Sequence, residues 1–182
     1  MVVADGLLHA GLVGGEEIEA LVERARRRRS ARGAARVATF ADALSESAAE
    51  SSSRVMFAAL GFPPPTLQAV IRTPSGRKVG RVDFLFEEFR TVGECDGISK
   101  YVRYLRPGES VADVVIREKL REDEMRGLDL QVVRWTPQEL ARPQIIEERF
   151  RAAFARAGFG HWRPGPPRVP YLPADEWRPP RR

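Results

Sequence analysis

The chain has 182 residues, of which 43% are hydrophobic. That supports one packed domain with an appendage, and no apolar run approaches the roughly 18 residues of a membrane-spanning helix. The single cysteine, Cys95, excludes an internal disulfide and a cysteine-based zinc site. The net charge of +5 and a pI near 10.0 suit an acidic partner such as nucleic acid. The opening MVVADGLLHAGLVGG lacks the basic start and long apolar core of a secretory leader, so a cytoplasmic location is expected.

The first periodic stretch is Glu16 to Arg29, with Ile18, Leu21, Val22 and Ala25 at helical spacing. The Arg26 to Arg29 run ends it, where cations complement the helix dipole. The same run also reads as a phosphate-contacting patch. Residues 1–40 are taken as an N-terminal helical extension.

A second helix is expected over Ser45 to Leu60, capped by Asp42 or Ser45. Val55, Met56, Ala59 and Leu60 form its apolar stripe. Glu50 and Arg54 are four apart and can pair. Gly61 and Pro63 to Pro65 stop the helix.

Leu67 to Arg72 alternates as a strand, and Pro74 to Gly76 form a turn. Lys78 to Phe86 is a second strand, with Val82, Phe84 and Phe86 alternating against Arg81, Asp83 and Leu85. Arg90 to Asp96 is a third. If Glu87 to Arg90 are the loop, Phe86 lies opposite Thr91 and Asp83 opposite Glu94. Asp96 then shares their face, and Cys95 points to the other side as a small core residue. Three carboxylates crowding one face destabilise the pair and call for positive charge. A divalent ion is the economical source, since hard cations take carboxylate oxygens. Asp96 also begins an Asp-Gly turn, which is its structural reading.

Gly97 to Glu109 is a basic, aromatic loop containing Lys100, Tyr101 and Arg103. A lysine beside aromatics suits a phosphate and a base face. Ser110 to Arg126 is a helix, with Ser110 and Asp113 as a capping box and Gly127 as its stop. The charged run Glu118, Lys119, Arg121, Glu122, Asp123 is either a solvated face or a device that anchors Lys119 or Arg121 toward the acids. Leu130 to Thr136 is a fourth strand, free after a helical crossover to lie parallel to a neighbour. Gln144 to Ala157 is a last amphipathic helix, with Ile145, Ile146, Phe150 and Phe154. The domain is bounded at 41–160, and 161–182 is a Pro- and Arg-rich tail expected to be disordered.

The order α, β, β, β, α, β, with acids on the second and third strands, resembles the PD-(D/E)XK nuclease superfamily. More closely it resembles the small Vsr-like (very-short-patch-repair-like) domains of bacteria. The pieces that carry the likeness are SAAESSSR around Glu50, GRVDF around Asp83, GECDGISKY and REKLREDEMRGLDLQVVRWT, together spanning roughly residues 45 to 136. Actinobacterial relatives carry such a domain behind a winged helix-turn-helix of the AbiEi antitoxin type, and Met1 to Arg36 looks like the linker after that module.

The resemblance implies an α/β fold with a mixed sheet and a restriction-endonuclease-like αβββαβ core with flanking helices. It implies Mg²⁺- or Mn²⁺-dependent hydrolysis of DNA. Asp83 and Glu94 would hold the ion, with Asp96 as a further ligand. Glu50 would act through water, and Lys100 or Lys119 would replace the lysine that the family places two residues after the acid, where this chain has Asp96. Tyr101, Arg103 and Arg121 would contact nucleic acid. The rival expectation is a non-catalytic regulatory or antitoxin-type module that binds nucleic acid or a toxin through the same fold.

Overall fold

The computed structural model describes residues 1–25, 27, 31–96 and 110–165. Most of the arginine run at 26–29, the loop 97–109 and the tail beyond 165 lie outside them. Among the described residues no helix is long and apolar enough to cross a membrane. The chain divides into two compact units, 1–63 with 164–182, and 64–163.

The first unit contains helices α1 (Val2–His9), α2 (Gly15–Ala25), α3 (Ala31–Phe40) and α4 (Ala48–Ala59). The N-cap of α4 is Ser47, not Asp42 or Ser45, and its hydroxyl accepts the Glu50 N–H at 3.2 Å. Asp42 and Ser45 serve Arg54 instead. That guanidinium lies 3.0 Å from the fully buried Asp5 on α1, donates to Ser45 Oγ and the Phe40 carbonyl, and lies 3.8 Å from Asp42. A buried carboxylate needs such a partner, because an unpaired one would carry a large desolvation cost. Gly61, at φ 71°, ends the α4 segment in a conformation that glycine adopts without strain.

The second unit is built on a four-stranded mixed sheet in the order β1 (Thr66–Arg72), β2 (Lys78–Phe86), β3 (Thr91–Cys95), β4 (Gln131–Trp135). β1 and β2 are antiparallel, as are β2 and β3. β4 runs parallel to β3, and the 17-residue helix α5 (Val111–Gly127) makes the crossover. The β2–β3 loop is a 3₁₀ turn over Glu87–Phe89, followed by Arg90 at φ 47°. This pairs Phe86 with Thr91 and Phe84 with Gly93, the register expected from the loop length.

The alternation of β2 departs from the simple expectation. Phe84 stacks on Trp135, and Phe86 meets Phe150 edge-on. Val82, however, joins Leu85 in the cluster around Met125 of α5. The change of side falls where the neighbouring strand is distorted, since Gln68, set opposite Asp83 by the register, has φ 52°.

The aromatic cluster continues through α6 (Pro143–Phe154), whose Phe150 and Phe154 are fully buried. Phe89, Phe154 and Trp162 extend it. Gly93 makes room for it, because a Cβ there would lie 3.0 Å from both Phe150 Cζ and Trp135 Cη2. Burying each such ring is worth about 3–5 kcal/mol against its truncation to alanine. On the α5 side, the capping box is formed as expected. Ser110 Oγ accepts the Asp113 N–H, and Asp113 accepts from Ser110. Those bonds hold the Asp113 carboxyl below its ordinary pKa. Gly127 is the last residue of α5 and has no positive φ, so it is not the stop. The left-handed residue is Asp129, whose carboxylate pairs with Arg90.

Candidate functional site

Glu94, Asp96, Glu118 and Glu122 gather around Arg121 and Arg134 where β3 and β4 meet α5. The β2–β3 ladder ends at Phe84 and Gly93. One step further, the Asp83 carboxylate takes over from the main chain: Oδ2 accepts the Cys95 N–H at 2.9 Å. Asp83 is thereby fixed against β3 beside Glu94. Cys95 itself is buried, as its place opposite the acids required.

Glu94 is the centre of the arrangement, with its side chain only 6% exposed. Arg121 of α5 donates from Nη2 to both of its oxygens, at 2.8 and 3.0 Å. Arg134 of β4, the register partner of Glu94, donates from Nε to Oε2 at 3.0 Å, and its Nη2 lies 2.9 Å from the same oxygen. The positive charge that the crowded acids call for is thus supplied by two guanidiniums. Such charge-assisted, forked contacts are the strong class of hydrogen bond.

Further acids hold the arginines in turn. Glu118 Oε2 accepts from Arg121 Nε at 3.2 Å and Nη2 at 2.7 Å. Arg134 lies 3.5 Å from Asp96, 3.6 Å from Glu118 and 3.6 Å from Glu122. Two guanidiniums are therefore shared among Glu94, Asp96, Glu118 and Glu122. Burial works to lower the pKa of Arg121, but the charge of Glu94 and the contacts with Glu118 outweigh it and raise it. Arg134 behaves alike: burial lowers, and Glu94, Asp96 and Glu122 raise it further. The acids thus hold both guanidiniums in their charged form.

Of the two readings of the α5 charged face, Arg121 takes the anchored one, with Glu118 holding it against Glu94. Lys119 is exposed and lines a cleft with Glu118, Glu122, Arg126 and Arg134. The Glu122–Arg126 pair forms at 2.6 Å. The Asp96 N–H donates to the Trp135 carbonyl at 2.8 Å and its carboxylate lies 3.5 Å from Arg134, while the Asp-Gly turn expected there falls outside the described residues.

Glu50 belongs to the first unit. Its carboxylate accepts the Glu46 N–H at 2.9 Å and the Ser47 hydroxyl at 2.7 Å, closing the start of α4. Lys100, Tyr101 and Arg103 lie outside the described residues. The residue that sequence reading missed is Arg134. The signal was available: once β4 is parallel to β3, alternation puts Arg134 on the face of Glu94.

Among the described residues no three His, Cys, Asp or Glu side chains group as a metal cage. Mg²⁺, however, uses only one or two carboxylates, together with water and substrate oxygens. Asp83 and Glu94 stand on adjacent strands, but Glu94 is already taken by two guanidiniums and Asp83 accepts the Cys95 N–H.

No family model, no characterised protein and no solved structure matches the chain.

Proposed function

We propose that the second unit is the core of a metal-dependent endonuclease that hydrolyses DNA phosphodiester bonds. The observation that supports this reading is that Asp83 and Glu94 stand one step beyond the last β2–β3 pair, with Asp83 fixed by the Cys95 N–H. Asp83 and Glu94 would hold Mg²⁺ or Mn²⁺. When bound, the ion supplies a water of lowered pKa and neutralises charge on the leaving oxygen.

The chain's own residues do the rest. Asp83 is oriented by β3, so its carboxylate does not wander when substrate binds. Glu118 positions Arg121, and Arg121 and Arg134 set the field around Glu94. Lys119, on the cleft wall, and Lys100 are the lysines available to steady the attacking water. The basic balance of the chain suits a polyanionic, cytoplasmic substrate.

The test is plasmid cleavage with Mg²⁺, with Mn²⁺ and with EDTA. Metal-dependent nicking that is lost in Asp83→Ala supports the reading. A second reading has its own observation: Glu94 is already satisfied by two arginines, as in a structural ion-pair network. On that reading the unit is a non-catalytic module of antitoxin or regulatory type, which binds nucleic acid or a toxin. Binding to DNA without cleavage in any metal would favour it.

A further inference from the structure

We propose that the outward face of the β1–β2 ribbon, carrying Arg72, Lys78 and Arg81, is a docking surface for the phosphate backbone of duplex DNA. The inference rests on the nucleic-acid partner common to both readings above, and it needs neither a metal ion nor cleavage.

From Thr66 to Val82 the chain carries four bases and no acid. The register sets Arg72 directly opposite Lys78, and Val70 opposite Arg81. Ile71, Val79 and Val82 pack in the cluster around Met125 of α5. Alternation therefore turns Val70, Arg72, Lys78 and Arg81 away from α5, and all four are exposed. A bulge makes this possible, since the register shifts between Ile71 and Arg72. Val79 and Gly80 both face α5: Val79 packs in the cluster, and a Cβ on Gly80 would meet Arg121 and Met125. With strict alternation Lys78 would turn toward α5. The extra residue re-aims it, so that Lys78 joins Arg81 on the outer face.

Like charges directly across a strand pair cost stability, and this stretch of the ribbon has no acid of its own to relieve them. Arg72 is held by a neutral partner, donating from Nη1 to the Gly76 carbonyl at 3.0 Å. Arg77, by contrast, pairs with Glu124 of α5. The turn between the strands is closed by its own bonds, from the Thr73 N–H to the Arg77 carbonyl at 2.9 Å and from the Gly76 N–H to the Thr73 carbonyl at 2.8 Å. The bases thus stand on an ordered frame, which lowers the entropic cost of binding. A phosphate backbone answers such a row of cations without any base contact. No aromatic residue lies between Thr66 and Val82 to stack an unpaired base, which argues against a single strand. The ladder with β3 ends at Phe84, so the basic half of the ribbon is two-stranded. Two-stranded ribbons match the wide major groove of B-form DNA better than the deep, narrow one of A-form RNA.

The experiment uses the full chain in EDTA, so that binding is read without cleavage. Anisotropy of a short labelled DNA duplex gives Kd over a series of KCl concentrations. The triple variant Arg72→Gln, Lys78→Gln, Arg81→Gln is expected to weaken binding on the order of tenfold or more at low salt and to flatten the slope of log Kd against log[KCl] by roughly 2–3. Arg90→Gln, Arg126→Gln, Arg142→Gln removes the same charge elsewhere and is expected to keep most of both. Lys78→Glu turns the repulsion across the ribbon into attraction. It is expected to raise Tm by about 1–3 °C and yet to weaken DNA binding more than Lys78→Gln, which separates a lost contact from a lost fold. A wild-type slope retained in the triple variant, or an equal loss in the charge-matched control, overturns the role of the ribbon even if the chain cleaves DNA. A loss confined to the ribbon variants supports it even where the wild type cleaves nothing, and then only the nuclease reading fails. A wild type that prefers duplex RNA or phosphatidylserine vesicles gives the face to another polyanion and overturns the assignment to DNA. One that binds no duplex at all overturns it outright.

Discussion

Glu94 and Arg134 are register partners on adjacent parallel strands, and Arg134 Nη2 lies 2.9 Å from Glu94 Oε2. A buried carboxylate and a guanidinium placed opposite each other by main-chain pairing are coupled. Removing one leaves the other costly to keep.

Glu94→Gln is expected to lower stability by about 1–3 kcal/mol, since both arginines retain partial access to water. Arg134→Gln is expected to cost a similar amount. The double variant should lose less than the sum, by at least about 0.5 kcal/mol. Urea unfolding of the four proteins measures the difference. Additive losses would mean that the two side chains do not interact in solution.

Gly93 and Gly127 should respond oppositely to alanine. At Gly93 the new methyl meets Trp135 and Phe150 at about 3 Å, which is expected to cost about 1–3 kcal/mol. At Gly127 nothing lies within 4 Å and the residue closes α5, so alanine is expected to add about 0.5–1 kcal/mol. Thermal melts of both variants are sufficient. A neutral Gly93→Ala would mean that the rings do not rest on β3.

Glu139 gives a pH dependence. It accepts from Arg149 of α6 and from the Thr136 N–H, and chiefly the Arg149 bond holds its pKa below the ordinary 4.5. A depressed folded-state pKa gives stability that is present above the unfolded value and lost as pH falls through the folded one. Wild type should therefore exceed Glu139→Gln by under about 1 kcal/mol at neutral pH. The gap should shrink as pH drops below 4.5. A gap that widens on acidification would contradict the pairing.

Ser110→Ala removes the cap of α5 and is expected to cost about 1 kcal/mol. Because α5 carries Arg121, the same variant should speed amide exchange in its first turn. Unchanged exchange would show that Ser110 does not hold the helix start.

Local chemistry explains what was readable beforehand. Loop length fixed the Phe86–Thr91 pairing, and the ladder runs from there to Phe84 and Gly93. Ser110 and Asp113 announced their capping box. A helical crossover allowed β4 to run parallel, and it does. What escaped was decided over distance. Arg54 pairs with Asp5, 49 residues away, while Glu50, itself buried, turns back to the start of its own helix. The α4 cap went to Ser47 once Asp42 and Ser45 were drawn to Arg54. The compensating charge at Glu94 came from side chains 27 and 40 residues downstream, which no short window joins to it. At Gln68, a left-handed residue inside a strand has no cue in TLQAVIR.

The separation of Glu94 from its two arginines bears on how the chain assembles. Both neutralising groups of the β3 carboxylate stand later in the chain, on the crossover helix and the last strand. The ion pairs at Glu94 are therefore long-range contacts, made only when the C-terminal half has docked on the hairpin.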